Sequence, residues 1–291
     1  KIKIINKNNV NDITEVTNKD ELDMLVEDFL ENIDSSNEYN LKETHLYTMC
    51  LTEKYYNPYD KWIRVGWALK NTSEKLFITW MAFSAQSQNF DFDKISDFYE
   101  MWRRFDSANE DILTFRSIIY WAKNDNPEKY KEIREETISY FIDKTIETPT
   151  DFDIALALYH MYKDEFTCVS IKKDAWYIYR NHRWEENEGG TDLRMAISKE
   201  LFQVYFKKLL DIQKLLSSGT LDPTSEKHKD VSSKSKKLSE LSNNLKKRGA
   251  KDNIMREAKE IFYDSTFIDK IDANPRLMCF ANGIYLSLIH I

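Results

Sequence analysis

The sequence predicts a mainly α protein of two helical units, the second carrying a small antiparallel β-meander. Three observations lead there. Apolar residues keep helical spacing over most of the chain, and only one stretch, Phe166–Trp184, switches to a period of two. The content is 42% hydrophobic and 31% charged, which is globular rather than disordered, and 13% aromatic with seven Trp, which implies bulky interior packing. A chain of 291 residues is long enough for two modest cores. The expected division is residues 1–40 as a linker with one helix, 41–146 as a helical domain, 150–285 as a domain holding the meander over 166–186, and 286–291 as a tail.

Residues 1–17 are polar, rich in Asn, and commit to nothing. From Asn18 to Asp34, Leu22, Leu25, Val26, Phe29, Leu30 and Ile33 repeat at helical spacing, and Asn18 with Glu21 three positions on forms a capping-box-like start. This helix reads as a linker entering from an upstream domain.

Residues 41–105 read as the first compact unit. A helix over 41–56 is stopped by Asn57-Pro58, and a short helix over 60–70 turns Trp62, Ile63, Ala68 and Leu69 inward, with Gly66 letting a neighbour approach. Helices over 74–84 and 93–105 pack Leu76, Phe77, Trp80, Phe83, Ile95, Phe98, Tyr99 and Trp102. Residues 110–146 add two helices split at 124–127.

In the meander, Trp176, Ile178 and Arg180 alternate with Tyr177 and Tyr179, and His182-Arg183-Trp184 returns after the Arg180-Asn181 corner. Lys173-Asp174 and Asn181 supply the turns, since Asp and Asn tolerate positive φ. Trp176 and Trp184 are expected on a face that adjacent helices cover. Gly189-Gly190 ends the sheet and Thr191 is the expected cap of the next helix. That helix, over 192–217, is expected to turn Leu193, Ile197, Leu201, Phe202, Tyr205, Phe206, Leu209, Ile212 and Leu216 inward. After a loop over 219–224 comes a basic run. Between Lys227 and Lys251 lie nine Lys or Arg, at 227, 229, 234, 236, 237, 246, 247, 248 and 251, against Asp230 and Glu240 alone. Leu238, Leu241 and Leu245 give it a narrow apolar stripe, so it reads as a basic helix with one docked face. Helices over 252–264 and 265–271 follow, then short strands at 277–279 and 284–285 around the Asn282-Gly283 turn.

Three motifs carry a family resemblance. Trp176-Tyr177, Arg183-Trp184, Asp192-Leu193-Arg194 and Ile197-Ser198 resemble the domain just ahead of the superfamily 3 helicase in poxvirus-type and giant-virus helicase-primases, a build shared by phage and plasmid primases. Residues 59–70, from Tyr59 to Lys70, with Trp80, Ser84, residues 90–93 and Trp102, resemble a type-2 primase C-terminal domain. Asn274-Pro275 and the run Phe280-Ala281-Asn282-Gly283-Ile284-Tyr285 are similar to the strand leading into the ATPase. Together they span roughly residues 50–285 in the family's order. The resemblance marks Trp62, Gly66, Trp102, Trp176, Tyr177, Trp184, Asp192, Arg194, Asn282 and Gly283 as signature positions. It implies a middle segment of a DNA replication helicase-primase, intracellular, in the cytoplasm or at a viral replication site. It also implies single-stranded or forked DNA as partner, a homo-oligomeric ring formed through the ATPase, and ATP with Mg as that ATPase's cofactors. In the family a Tyr such as Tyr285 is followed by Asp. Here Leu286-Ser287-Leu288-Ile289-His290-Ile291 follows, which reads as a truncation scar or foreign-coded tail on a protein that continues.

The residues themselves offer few catalytic candidates. No Gly directly precedes a Lys, so the chain has no phosphate-binding Walker loop. Asp91-Phe92-Asp93 and Asp151-Phe152-Asp153 have the Asp-x-Asp form of a metal pair, but each stands at a helix start, where capping is the expected role. No catalytic residue and no metal ligand are expected. Arg64, Arg103 and Arg104 beside Trp residues either line a nucleic-acid groove or snorkel from a Trp core. Lys246, Lys247 and Arg248 either meet phosphates or belong to a solvated face. His45 and His160 are expected at the surface or in packing, and His182 in a turn. Cys50, Cys168 and Cys279 fit buried reduced thiols. The net charge of −7 confines any DNA contact to local patches, and no apolar run approaches a membrane span. Two further functions stand beside the helicase-primase segment: a self-contained primase using an Asp-x-Asp pair, and a purely structural helical module.

Overall fold

The computed structural model describes residues 3–5, 10–33, 38–105, 113–181, 183–218, 222, 224–271, 273, 277–280 and 283–286. His182, Asn274, Pro275, Ala281, Asn282, most of the 219–224 loop and residues 287–291 lie outside these. So do Asp34–Asn37 and the side chain of Cys279. The chain divides into two compact units, Lys1–Glu136 and Thr137–Ile291.

The first unit opens with an antiparallel pair, β1 (Lys3–Ile5) and β2 (Val10–Asp12), and a single helical turn at Ile13–Glu15. Helix α1 (Lys19–Asn32) starts where Asn18 Oδ1 accepts from Glu21 N at 3.0 Å, while the Glu21 carboxylate accepts from Thr17 N at 2.9 Å. Two of the free N–H groups around a helix start are thereby satisfied. Its Leu22, Leu25, Val26 and Phe29 are buried in the first unit's core, so α1 is part of that unit rather than a free linker.

The expected single helix over 41–56 is broken. Helix α2 (Tyr39–Met49) and the short α3 (Glu53–Tyr56) flank a bend, where Asn126 Nδ2 donates to Cys50 O (3.2 Å) and Asp125 Oδ2 accepts from Thr52 N (2.7 Å). Side chains from far along the chain take the backbone groups that a continuous helix would use. Helix α4 (Tyr59–Thr72) follows, then a turn at Glu74–Leu76 and α5 (Phe77–Ser84). All eight residues of α5 are buried, as befits a helix apolar on every side. Helix α6 (Ile95–Arg103), α7 (Phe115–Asp125) and the long α8 (Pro127–Glu147) complete the set, the unit boundary falling within α8.

The core of the first unit is a chain of rings. Trp80 stacks on Trp62 at 4.7 Å between centroids and lies 5.6 Å from Trp102, with Phe77, Phe98 and Phe105 edge-on or tilted around it. Gly66 makes this possible, because a Cβ there would fall 2.7 Å from Trp80 Cε2. The sequence expectation for Gly66 holds.

In the second unit, α9 (Asp151–Tyr162) leads into the meander of β3 (Phe166–Ser170), β4 (Ala175–Arg180) and β5 (Arg183–Glu188). The order is β3-β4-β5, antiparallel throughout, and the turn residues Asp174 and Asn181 both have φ of 52°, as their chemistry predicts. The register pairs Trp176 with Cys168 and Asn187, and pairs Trp184 with Tyr179. Directly paired residues share a face, so Trp176 and Trp184 stand on opposite faces. Trp176 is fully buried against Phe262 (5.6 Å), whereas Trp184 is half-buried, packed on Tyr179 and edge-on to Phe267 at 4.8 Å. The expectation that one face holds both is corrected by that register.

The meander is tied to distant chain by its backbone. Cys168 N donates to Phe262 O and Cys168 O accepts from Asp264 N, both at 3.0 Å, forming a parallel bridge on the free side of β3. Beyond β5, Gly190 has φ of 61° and a Cβ there would meet Met255 and the Trp176 indole, so both conformation and space require Gly. The cap of α10 (Thr191–Ala196) is not Thr191, whose hydroxyl donates to Glu188 O (2.6 Å). Instead the buried Asn187 side chain accepts from Asp192 N at 3.3 Å.

A π-turn at Ile197–Leu201 joins α10 to α11 (Phe202–Ser217). Leu193, Ile197, Leu201, Tyr205 and Leu209 are all buried, a row at every fourth residue. Such a row drifts by about 40° per step on a helix of 3.6 residues per turn; the extra residue of the π-turn takes up part of that drift. Phe206, expected inside, therefore falls outside and is 39% exposed. Helix α12 (Glu226–Asn244) packs along α11, and α13 (Arg248–Ile261) packs along α9. The short α14 (Phe267–Lys270) and the hairpin of β6 (Leu277–Phe280) and β7 (Gly283–Leu286) close the described chain. Among the described residues no helix is long and apolar enough to cross a membrane.

Candidate nucleic-acid interface

The aromatic cluster beside Arg64 and Arg103 is core, not a stacking platform. Trp62 Nε1 donates to Ser84 Oγ (2.7 Å), Trp102 Nε1 donates to Glu74 Oε2 (3.1 Å), and both indoles are buried. Arg64, Arg103 and Arg104 are exposed heads around it. Arg64 lies 5.8 Å from the Trp121 ring, Arg103 pairs with Glu100 (3.2 Å), and Arg104 ends α6. They stand on separate helices, Arg64 on α4 and the other two at the end of α6.

The Asp-x-Asp motifs are helix starts. Asp91 Oδ1 accepts from Asp93 N at 3.1 Å. In the second motif the cap is Thr150, whose Oγ1 accepts from Asp153 N at 3.1 Å, and the two acids occupy the first turn. Among the described residues no group of three or more His, Cys, Asp or Glu is placed to hold a metal ion. His45 and His160 are packing residues. His45 is buried with Nδ1 3.0 Å from Thr79 Oγ1, and burial pushes its pKa down to about 4. His160 stacks on Phe141 at 3.9 Å, and burial first, then Lys163, pushes it down to about 3. Cys50 is likewise buried, which raises its thiol to about 11.

The signature residues of the second unit join the meander to its helix. Asp192 Oδ2 accepts from Asn187 Nδ2 (2.8 Å) and Arg180 Nη1 (3.3 Å), and Arg194 pairs with Asp252 (2.5 Å) across to α13. Tyr177 packs on Phe267 at 5.6 Å, on the same face as Trp184. Gly283 opens β7.

The basic run is not one helix. It breaks after Leu245, and Lys246, Lys247 and Arg248 form an exposed corner between α12 and α13. Leu238, Leu241 and Leu245 are buried as expected, so the corner is pinned from beneath, and Ser198 Oγ also donates to Leu245 O (3.2 Å). Lys247 is held by Asn244 Oδ1 (2.8 Å), while Arg248, with a side chain 92% exposed, is 3.9 Å from Asp252. Lys246 lies 3.6 Å from the centre of the Phe202 ring, and Phe202 stacks on the exposed Phe206 at 5.7 Å, 15° from parallel. Cations and one exposed ring, Phe206 backed by the half-buried Phe202, are thus side by side, a combination that can meet phosphate and base together. The aromatic half was missed because a uniform 3.6 period puts Phe202 and Phe206 inside. Only the burial of the fourth-residue row from Leu193 to Leu209 shows that Phe206 lies outside and Phe202 at its margin.

Comparison with known proteins matches both halves of the chain. The family described as Primase C terminal 2 (PriCT-2) matches residues 45–122, and the family described as D5 N terminal like matches residues 155–286. A relative named "Putative helicase L207/L206", from Acanthamoeba polyphaga mimivirus, is 30% identical over 227 residues, covering 78% of this chain and 23% of its own length. "Putative helicase 022R" of Frog virus 3 is 27% identical over 286 residues, 87% of this chain and 28% of that protein. "Putative primase C962R" of African swine fever virus is 24% identical over 253 residues, 80% of this chain and 26% of that protein. The chain spans about a quarter of the length of these curated relatives.

Proposed function

Because the chain is a protein of the viral helicase-primase type, with a primase C-terminal 2 domain ahead of a D5 N-terminal-like domain, we propose that it serves DNA replication as a DNA-holding middle segment. In this reading it links a primase to a superfamily 3 ring ATPase and does no chemistry of its own. The observation that carries it is the corner of Lys246, Lys247 and Arg248 set beside the Phe202–Phe206 stack. A chain of net charge −7 repels a polyanion overall, so contact falls to local cationic patches, and this corner with its aromatic neighbour suits a single strand. ATP and Mg would be handled by the ATPase of the longer protein, through which a homo-oligomeric ring would form. The ring would multiply contacts that are weak in one subunit.

The test is single-strand binding as a function of salt, on this chain and on the longer protein. Replacing Lys246, Lys247 and Arg248 with Ala should flatten the log–log salt slope by up to about two units and weaken all sequences alike. An unchanged slope in the assembled ring would make the corner a solvated linker.

A further inference from the structure

In the first unit, the end of α3, the start of α4 and the segment ahead of α6 enclose an open cavity of about 320 Å³. That is the lower end of the size that holds a small organic ligand. Its floor is aromatic: the Trp62 indole, already hydrogen-bonded to Ser84, with Phe98 edge-on to it at 5.6 Å and Phe90 stacked on Phe98 at 5.9 Å. At the mouth stands Tyr59, 66% exposed and 5.6 Å from Trp62, a large ring presented to solvent beside a hollow.

The rim is polar and incompletely used. Asn57 Oδ1 accepts from Ser87 Oγ at 3.0 Å, which leaves its two N–H groups uncommitted among the described residues. The Asn89 side-chain amide is exposed at the same rim. Asp91 uses one oxygen for its cap and holds the other 3.6 Å from Lys94 Nζ. With the lysine balanced by the carboxylate, the rim has no surplus positive charge for a phosphate. It does have a carboxylate to accept, amides to donate and accept, and rings to stack on.

We propose that this cavity takes a nucleobase bearing an exocyclic amino group, stacked on Tyr59 and donating its amino hydrogens to Asp91. The choice of nucleobase among planar heteroaromatics rests on the replication reading above. The base belongs either to a single DNA strand or to a free nucleotide, which share this chemistry.

The experiment titrates the full chain with GMP, CMP, AMP and TMP, with short single strands, and with an abasic strand of equal phosphate count. Amino-bearing bases should bind more tightly than thymine. Tyr59→Ala should weaken binding by roughly 5- to 100-fold, the range for one base–aromatic stack, and Tyr59→Phe should restore it. Asp91→Asn keeps a capping side chain and should erase the preference over thymine. Binding by mononucleotides identifies a free nucleotide as sufficient; binding by strands but not by the abasic strand identifies a base of the strand. The inference is overturned if nothing binds beyond the abasic strand, or if binding ignores both Tyr59→Ala and Asp91→Asn. The Lys246, Lys247 and Arg248 replacement separates this result from the previous one. If it leaves abasic-strand binding unchanged while the Tyr59-dependent part persists, the phosphate reading fails and the base cavity stands.

Discussion

Gly66 lies directly beneath the indole of Trp80, so close that any side chain at 66 would have to displace it. Trp80 cannot yield, being fully buried and hemmed by Trp62, Trp102 and Phe105. Gly66→Ala should therefore destabilise the first unit by about 1–3 kcal/mol, overpacking outweighing the roughly 1 kcal/mol gain in helix propensity. Gly249, with nothing within 4 Å of an added Cβ, is the control. Gly249→Ala should be neutral or stabilising in the same denaturant unfolding measurement.

His45 makes the first unit acid-sensitive. Its folded pKa of about 4 is below the ordinary 6.5, so the unfolded chain binds the extra proton first as pH falls. Its contribution is fully present above pH 6.5 and is lost progressively down to about pH 4. The loss amounts to about 3 kcal/mol at about 1.4 kcal/mol per pH unit. His45→Gln, which can still bond Thr79 without titrating, should flatten the dependence in that window. Five of the seven Trp lie in the first unit, so tryptophan emission during unfolding follows it.

Phe206→Ala should leave the second unit's stability within about 1 kcal/mol, because the ring is half in solvent and fills no cavity. It should weaken single-strand binding about 5-fold or more, while barely touching duplex binding, whose bases are not free to stack. Equal losses on both substrates, measured by titration at one salt concentration, would remove the stacking role from the interface.

Asn187 serves two elements at once, capping Asp192 N and donating to the Asp192 carboxylate from the end of β5. Asn187→Ala should cost about 0.5–2 kcal/mol, the range for a lost helix cap, because water and Arg180 still reach the exposed Asp192 carboxylate. Asp192→Asn should cost less than Asn187→Ala, because an amide oxygen still accepts from Asn187 and Arg180. Calorimetric unfolding, which reads both units, would rank the two.

Local chemistry was readable where one residue decides the outcome. Asp174 and Asn181 announce their positive φ, Asn18 announces a cap, and Gly66 announces close approach. What was not readable depends on partners far along the chain. Alternation alone cannot say how β5 registers on β4, so it could not place Trp184 on the face opposite Trp176. The bend after α2 is held by Asp125 and Asn126, and the π-turn is visible only once the buried row is known. Of the interface, the cations were legible as a charge run. Their position at a corner, and the aromatic pair beside them, were not.

The two backbone bonds at Cys168 have a mechanical meaning. They hold Phe262 and Asp264 alongside a strand that is itself anchored through β4 to Trp176. A load that drew the chain beyond Asp264 along the direction of β3 would put both bonds in shear, and one directed away from the sheet would peel them. Shearing breaks both at once, whereas peeling breaks one after the other. Resistance at this junction therefore depends on the direction of a load and is greatest along β3.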